Sequence, residues 1–179
     1  MQEDRMKILP VFICVMMSFS GVAMAAPYAS LMPLNAKGKQ MMKASGKTDA
    51  QRAIESPDKD EINIPAYPGS FLGMTGGTKG HWSSVQLISN DSPGKIIAWY
   101  KSKLGKKWQF SPSLAIEQAG QVGVFIETNK PEVDGVDLMK FRAITIAKVE
   151  KPGDLGFAAM FGDLSNAKAV INIQLKPLM

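Results

Sequence analysis

The side chains that most often perform catalysis are scarce in this 179-residue chain, which contains one histidine, His81, and one cysteine. As the general base of a Ser–His–Asp set, His81 would need a nearby serine and an orienting carboxylate. The candidate partners are Ser83, Ser84, Ser92, Asp91 and Asp163. No Gly-x-Ser-x-Gly elbow frames any of these serines. We therefore predict no catalytic residue and keep a hydrolase that uses His81 as an alternative.

Metal binding is not predicted either. A closed zinc site takes about four His, Cys or carboxylate ligands, and the chain has one His and no tight acidic cluster. Glu132, Asp134 and Asp137 are close in sequence, but they surround Pro131 and Gly135 in a predicted turn and lack the spacing of a calcium loop. A solvated hairpin loop explains these acids, and we predict no metal and no cofactor.

A glycine-rich stretch precedes His81, with five glycines between residues 69 and 80. The stretch fails as a phosphate-binding loop because Thr78 stands before Lys79 where glycine is required, and Gly80 follows where a hydroxyl is required. Residues 81–89 alternate like a strand, whereas a phosphate-binding loop opens a helix. We expect a mobile loop or hairpin over 73–81 that forms one side of a candidate binding surface.

The remaining chemistry is cationic and aromatic. Trp99 lies four residues from both Lys95 and Lys103 on a predicted helix. A tryptophan flanked by ammonium groups suits anionic lipid headgroups or an acidic partner. The alternative is that Trp99 packs at the helix border beneath the lysine stems. The candidate binding residues are Trp99, Lys95, Lys103, Lys106, His81 and Tyr67.

A predicted helix over 93–104 positions three of these candidates, Lys95, Trp99 and Lys103. Asp91 and Ser92 are helix-capping residues, and Pro93 suits the first turn because its missing N–H costs nothing there. Ile96, Ile97, Tyr100 and Leu104 fall on one arc of the helix and predict its core face. Gly105 is placed to end the helix.

Period-two patterning predicts strands at 81–89, 107–110, 121–128, 140–150 and 167–176. Residues 156–162 are apolar and short, and predict either a helical turn or a strand. One amphipathic helix cannot close a core alone, and a sheet with one apolar face needs a cover. The sequence therefore predicts an α+β fold, with one amphipathic helix packed on an antiparallel sheet of about five strands.

The N-terminus predicts export. An apolar run of about 12 to 14 residues follows Lys7, which is shorter than the ~20 residues that cross a bilayer as a helix. Small residues at Ala23 and Ala25 fit a signal peptidase, so we expect cleavage between Ala25 and Ala26. Two acids precede the apolar run, so translation starts at either Met1 or Met6. We expect a periplasmic or secreted protein, with no transmembrane segment in the mature chain.

Removal of the leader leaves a cysteine-free chain. Cys14 lies within the apolar run, and the bulky residues before it do not form a lipidation site. Disulfides and thiolate chemistry are then excluded. The leader carries as many acidic as basic residues, so the mature chain keeps the net charge of +5.

The mature chain divides into two parts by composition. Residues 26–61 are rich in Lys, Ala, Ser and Gly without an apolar stripe, and predict a flexible basic linker. Residues 62–179 predict a single α+β domain. It begins with an extended segment over 62–69 that contains two prolines, which we call the entry segment.

Three short sequence motifs follow one another between residues 64 and 101. They are Ile64-Pro65-x-Tyr67-Pro68-Gly69, Asp91-Ser92-Pro93 and Trp99-Tyr100-Lys101. In this arrangement residues 62–110 resemble a group of small exported bacterial proteins of unknown function. The resemblance implies a helix-on-sheet domain in the cell envelope and carries over no catalytic residue.

These observations predict an exported, non-enzymatic binding domain whose partner is an unknown protein or an anionic envelope component. A specific nucleic-acid partner is not expected outside the cytoplasm. Two alternatives stay open: a hydrolase using His81, and a basic adaptor that contacts anionic lipid through residues 37–52 and 95–107.

Overall fold

The structure is a computed structural model that describes residues 27–112, 114–115, 120–129 and 140–177. The strands are β1 (Ser30–Leu31), β2 (Phe71–Thr78), β3 (His81–Ser89), β4 (Trp108–Ser111), β5 (Gln121–Glu127), β6 (Ala143–Lys148) and β7 (Ala169–Gln174). The helices are α1 (Ala36–Ala44), α2 (Asp49–Ile54), α3 (Pro93–Lys103) and α4 (Ala158–Phe161), with a 3₁₀ turn at Pro152–Leu155.

The predicted α+β class is confirmed, but the sheet is larger than the five or so strands expected. In the described part of the chain, seven strands form one sheet in the order β1-β2-β3-β7-β6-β5-β4. The sheet is mixed because β1 runs parallel to β2, while the other neighbours are antiparallel. All five predicted strands are present, and β1 and β2 are the additions.

Of the two forms expected for the glycine-rich stretch, a mobile loop or a hairpin, the structure has the hairpin: the stretch is strand β2, paired with β3. Glycine disfavours strands because it has no side chain to pack, so composition hid this element. Gly77 and Gly80 have φ values of 98° and 78°, and at these values the chain can turn without the steric cost that a Cβ would impose. The ladder is irregular at Gly73 and again between Gly76 and Gly77.

Helix α3 covers one face of the sheet, as its apolar arc predicts. Ile96 and Tyr100 are fully buried against residues of the central strands such as Leu87, Ile144 and Ile171. The extended entry segment lies beside α3 and adds further buried apolar side chains to the same cluster, namely Ile62, Ile64 and Tyr67. This face is the main core of the protein.

The opposite face is covered in part by residues before 62, which differs from the flexible linker predicted over 26–61. Met32 packs with Ile88, Leu155 and Val170 in a second cluster on this face, whereas Tyr28, from the same segment, belongs to the main core on the α3 face. The segment contains β1, α1 and α2. Its few apolar residues form no helical stripe, so the sequence pattern did not indicate these helices. Backbone pairing and capping bonds, rather than an apolar helix face, tie the segment to the rest of the fold. None of the helices in the described ranges is long and apolar enough to span a bilayer.

Candidate functional site

Two of the predicted binding residues, Tyr67 and Lys95, form a hydrogen-bonded network at the start of α3. The Tyr67 hydroxyl donates to Asp91 Oδ2 at 2.9 Å, and Lys95 Nζ donates to Asp91 Oδ1 at 3.0 Å. The Lys95 and Tyr67 hydrogen bonds lower the pKa of Asp91, with Lys95 as the larger cause. Burial and the bond to Asp91 raise the pKa of Tyr67. The bond between Tyr67 and Asp91 therefore joins the entry segment to the start of α3, and the bond between Lys95 and Asp91 lies within that start.

Trp99 is half-buried between two tyrosine rings. Its ring centroid is 5.4 Å from that of Tyr67 and 4.8 Å from that of Tyr100, in edge-to-face geometry at both. Tyr100 is fully buried, and its hydroxyl donates to the Pro65 carbonyl at 3.2 Å. Burial raises the pKa of Tyr100. The structure thus brings Tyr67, Lys95 and Trp99 together, in contacts that are internal to the fold.

Lys103 and Lys106 lie at and beyond the opposite end of α3. Both are exposed, and neither makes an ion pair among the described residues. Their neighbour Lys101 has its Nζ 4.1 Å from the Phe110 ring centroid, in a cation–π contact. Lys107 is exposed as well, so this end of the helix is a cationic surface.

His81 is distant from the start of α3. It is exposed at the first residue of β3, and this nine-residue strand separates it from Asp91 by roughly 25 Å at about 3.3 Å per residue. The hairpin tip beside it is tied down, because Glu61 accepts hydrogen bonds from Gly80 N at 3.1 Å and Trp82 Nε1 at 3.0 Å. The segment 73–81 is therefore a docked hairpin.

The described residues do not assemble a catalytic set around His81. No hydrogen bond joins its imidazole to a serine or a carboxylate within the described ranges. Asp91 is occupied at the far end of β3, and Asp163 follows α4 on the other face of the sheet. The same ranges contain no group of His, Cys, Asp and Glu that could hold a metal. The acids Glu132, Asp134 and Asp137 lie outside the described residues.

Sequence reasoning missed a joint between α1 and α4. Asn35 caps α1 by accepting from Gly38 N at 2.9 Å, and its Nδ2 donates to the carbonyls of Met160 and Gly162 at 3.2 Å each. A Cβ at Gly38 would overlap the Phe161 carbonyl oxygen, so glycine allows the two elements to meet closely.

This joint displays large apolar side chains to solvent. Phe157 is 57% exposed, Met160 46% and Met41 53%. The Phe157 and Phe161 rings are 4.9 Å apart, and Lys37 Nζ lies 5.6 Å from the Phe161 centroid. Met41 follows Lys37 by four residues and so shares its side of α1. We call these residues the α1–α4 patch: Lys37, Met41, Phe157, Met160 and Phe161.

The α1–α4 patch has one lysine within it, Lys37, and two more on the same helix: Lys39 and Lys43 lie round α1 from Lys37, on the side away from Met41. Helix α1 carries Lys37, Lys39 and Lys43 and no acidic residue. All three lysines are exposed and make no ion pair among the described residues. The sequence signals were the lysines before residue 62 and the apolar stretch 156–162, which lie far apart in the chain and meet only in the fold.

Comparison with known proteins adds no relative: no family model, no curated protein and no solved structure matches this chain.

Proposed function

We propose that the protein is an exported, non-enzymatic binding domain that docks on anionic lipid surfaces through the α1–α4 patch. The observation that carries this proposal is the exposure of Phe157, Met160 and Met41 beside Lys37 of α1, a helix that carries two further exposed lysines and no acidic residue. Apolar side chains ringed by cations are the features with which peripheral proteins enter the interface of anionic bilayers. The leader-like N-terminus supports an envelope location for this activity.

The α1 lysines make a substantial electrostatic contribution to the free energy of membrane binding. Each lysine near an anionic membrane contributes about 1 kcal/mol, so the three lysines of α1 contribute at most about 3 kcal/mol, or roughly 100-fold in affinity. Lys37 lies within the patch, and Lys39 and Lys43, on another side of the helix, contribute less than Lys37. Phe157 and Met160 add apolar burial that salt does not screen. We therefore expect binding that weakens steeply with ionic strength without vanishing entirely.

The lysines near the end of α3 offer a charge-matched comparison. Lys103, Lys106 and Lys107 are as exposed and as free of described ion pairs as those of α1. The exposed large apolar side chains of the described residues do not include any from α3. This difference favours α1 and α4 as the docking face over residues 95–107.

The test is co-sedimentation of the full chain with phosphatidylglycerol-containing vesicles and with purely zwitterionic vesicles. Replacing Lys37, Lys39 and Lys43 together by Gln should weaken binding to the anionic vesicles by roughly 10- to 100-fold. The matched replacement of Lys103, Lys106 and Lys107 by Gln removes the same charge and should weaken it far less.

Equal losses in the two triple variants would show that net charge alone governs binding, and would reject the α1–α4 patch as the site. Absence of binding to the anionic vesicles would reject the proposed function itself. Activity in a hydrolase panel that His81→Ala abolishes would instead support the enzymatic alternative.

A further inference from the structure

A second surface lies on the same face of the sheet as α4, farther along the strands. Gln86 of β3, Asn172 of β7 and Thr145 of β6 are cross-strand neighbours in one row. Ser84 and Gln174 pair in the next row. Together with β2 these strands line a groove of about 390 Å³. The described residues that line it include no charged one, in a chain of which 21% of the residues are charged.

The polar side chains of the groove are held in place before any ligand binds. Gln86 Nε2 donates to Asn172 Oδ1 at 3.2 Å, and Gln174 Nε2 donates to the Phe141 carbonyl at 3.0 Å. Fixed amides lose little conformational freedom when a ligand arrives. The exposed Asn172 side chain keeps its own amide N–H groups free for a ligand, since its oxygen is the atom that Gln86 uses.

One polar atom of the groove is unsatisfied. Gln86 Oε1 is buried and has no hydrogen-bond donor. A buried acceptor without a donor costs about 1–3 kcal/mol, and such groups are uncommon in folded proteins. An uncompensated cost of this kind needs an explanation, and a binding role for this row of side chains supplies one.

Strand β2 is shaped to leave the groove open. A Cβ at Gly76 would overlap Ser84 Oγ, and a Cβ at Gly73 would lie 3.0 Å from Gln86 Oε1. The ladder between β2 and β3 is irregular at both glycines. Bulges of this kind are concentrated next to functional sites, and strand glycines occur where another molecule approaches the backbone.

We infer that this groove binds a neutral oligosaccharide. A hydroxyl group both donates and accepts, which matches a surface of amides and hydroxyls that offers donors and acceptors in adjacent rows. The described lining offers no charge to compensate an ionised ligand, whose desolvation would oppose binding. This site is separate from the α1–α4 patch and does not depend on lipid docking.

The test titrates the full, isotopically labelled chain with cellotetraose, maltotetraose and chitotetraose, each neutral, and with a sulfated heparin tetrasaccharide. At least one neutral sugar should shift the amide resonances of β3 and β7. Asn172→Asp keeps the acceptor for Gln86 but replaces the free N–H donors by a negative charge, and should weaken binding about tenfold. Asn166→Asp, at an exposed loop position, makes the same change outside the groove and should leave the affinity unchanged.

A second variant separates a ligand role from a structural one. Gln86→Met keeps the length of the side chain and removes the unsatisfied oxygen, so it should raise the Tm of the ligand-free protein while weakening sugar binding. The inference is overturned if no neutral sugar shifts these resonances, if the sulfated sugar alone does, or if Asn172→Asp binds as tightly as the wild type.

Discussion

Asp91 illustrates how one side chain can be part of a recognisable sequence pattern and still have its role decided by distant residues. It precedes the start of α3, where the sequence offers either Asp91 or Ser92 as the helix cap. In the structure its carboxylate instead joins Tyr67 to Lys95, and Ser92, the N-cap residue, makes no side-chain capping bond. A capping pattern specifies where a helix begins. It does not specify which tyrosine the fold will bring to the carboxylate.

The lowered pKa of Asp91 predicts a pH dependence of stability. A carboxyl whose pKa is lower in the folded chain than in the unfolded chain stabilises the fold while it is ionised, and this contribution is lost as the pH falls through the folded value. Asp91→Asn should therefore lower the free energy of unfolding at pH 7, and its difference from the wild type should shrink below about pH 4. Urea denaturation at both pH values measures this.

Asp60→Asn is the control for that experiment, because Asp60 is exposed and takes no part in this network. It should leave the free energy of unfolding at pH 7 nearly unchanged. A pH profile of Asp91→Asn parallel to that of the wild type would contradict the stabilising role of the network.

Among the elements, α3 was predicted almost to the residue, whereas α1 was not predicted at all. Helix α3 has a proline start and an apolar arc, both of which are local signals. Helix α1 buries Gly38 rather than a large apolar residue, so no hydrophobic stripe marks it. The same reasoning explains β2, whose glycines carry no strand preference but leave room for the neighbouring strand.

The joint between α1 and α4 depends on Asn35. Asn35→Ala removes the cap and both side-chain bonds to the carbonyls of Met160 and Gly162, and should lower the free energy of unfolding by about 2 kcal/mol. The variant changes no charge, yet it should also weaken binding to anionic vesicles, because fewer bonds then hold Lys37 against the α4 side of the patch. The loss should be partial, since the backbone bonds from Asn35 N to the Phe161 carbonyl and from Asp163 N to the Pro33 carbonyl remain. Asn166→Ala, at an exposed loop position, is the control and should alter neither quantity. Undiminished vesicle binding by Asn35→Ala would show that the joint is unnecessary for docking.

At the scale of the whole molecule, the two faces of the sheet differ in the elements that cover them. One face is closed by α3 and the entry segment and forms the main core. The opposite face carries α1 and α4 at one end of the strands and the polar groove farther along them. The sequence predicted the α+β class and the cationic character, because composition and periodicity are local properties. It could not predict either surface, since each is assembled from segments far apart in the chain.

The most direct test of the central claim asks whether the tip of α4 enters the lipid interface. Phe157→Trp places a fluorophore at the most exposed of the large apolar positions in the described residues, and Met74→Trp places one on β2 as the control. With vesicles containing brominated phosphatidylglycerol, the added fluorescence of Phe157→Trp should be quenched, as expected for insertion by about 5–10 Å, while that of Met74→Trp should not. Equal quenching of both, or quenching of neither, would contradict docking through the α1–α4 patch.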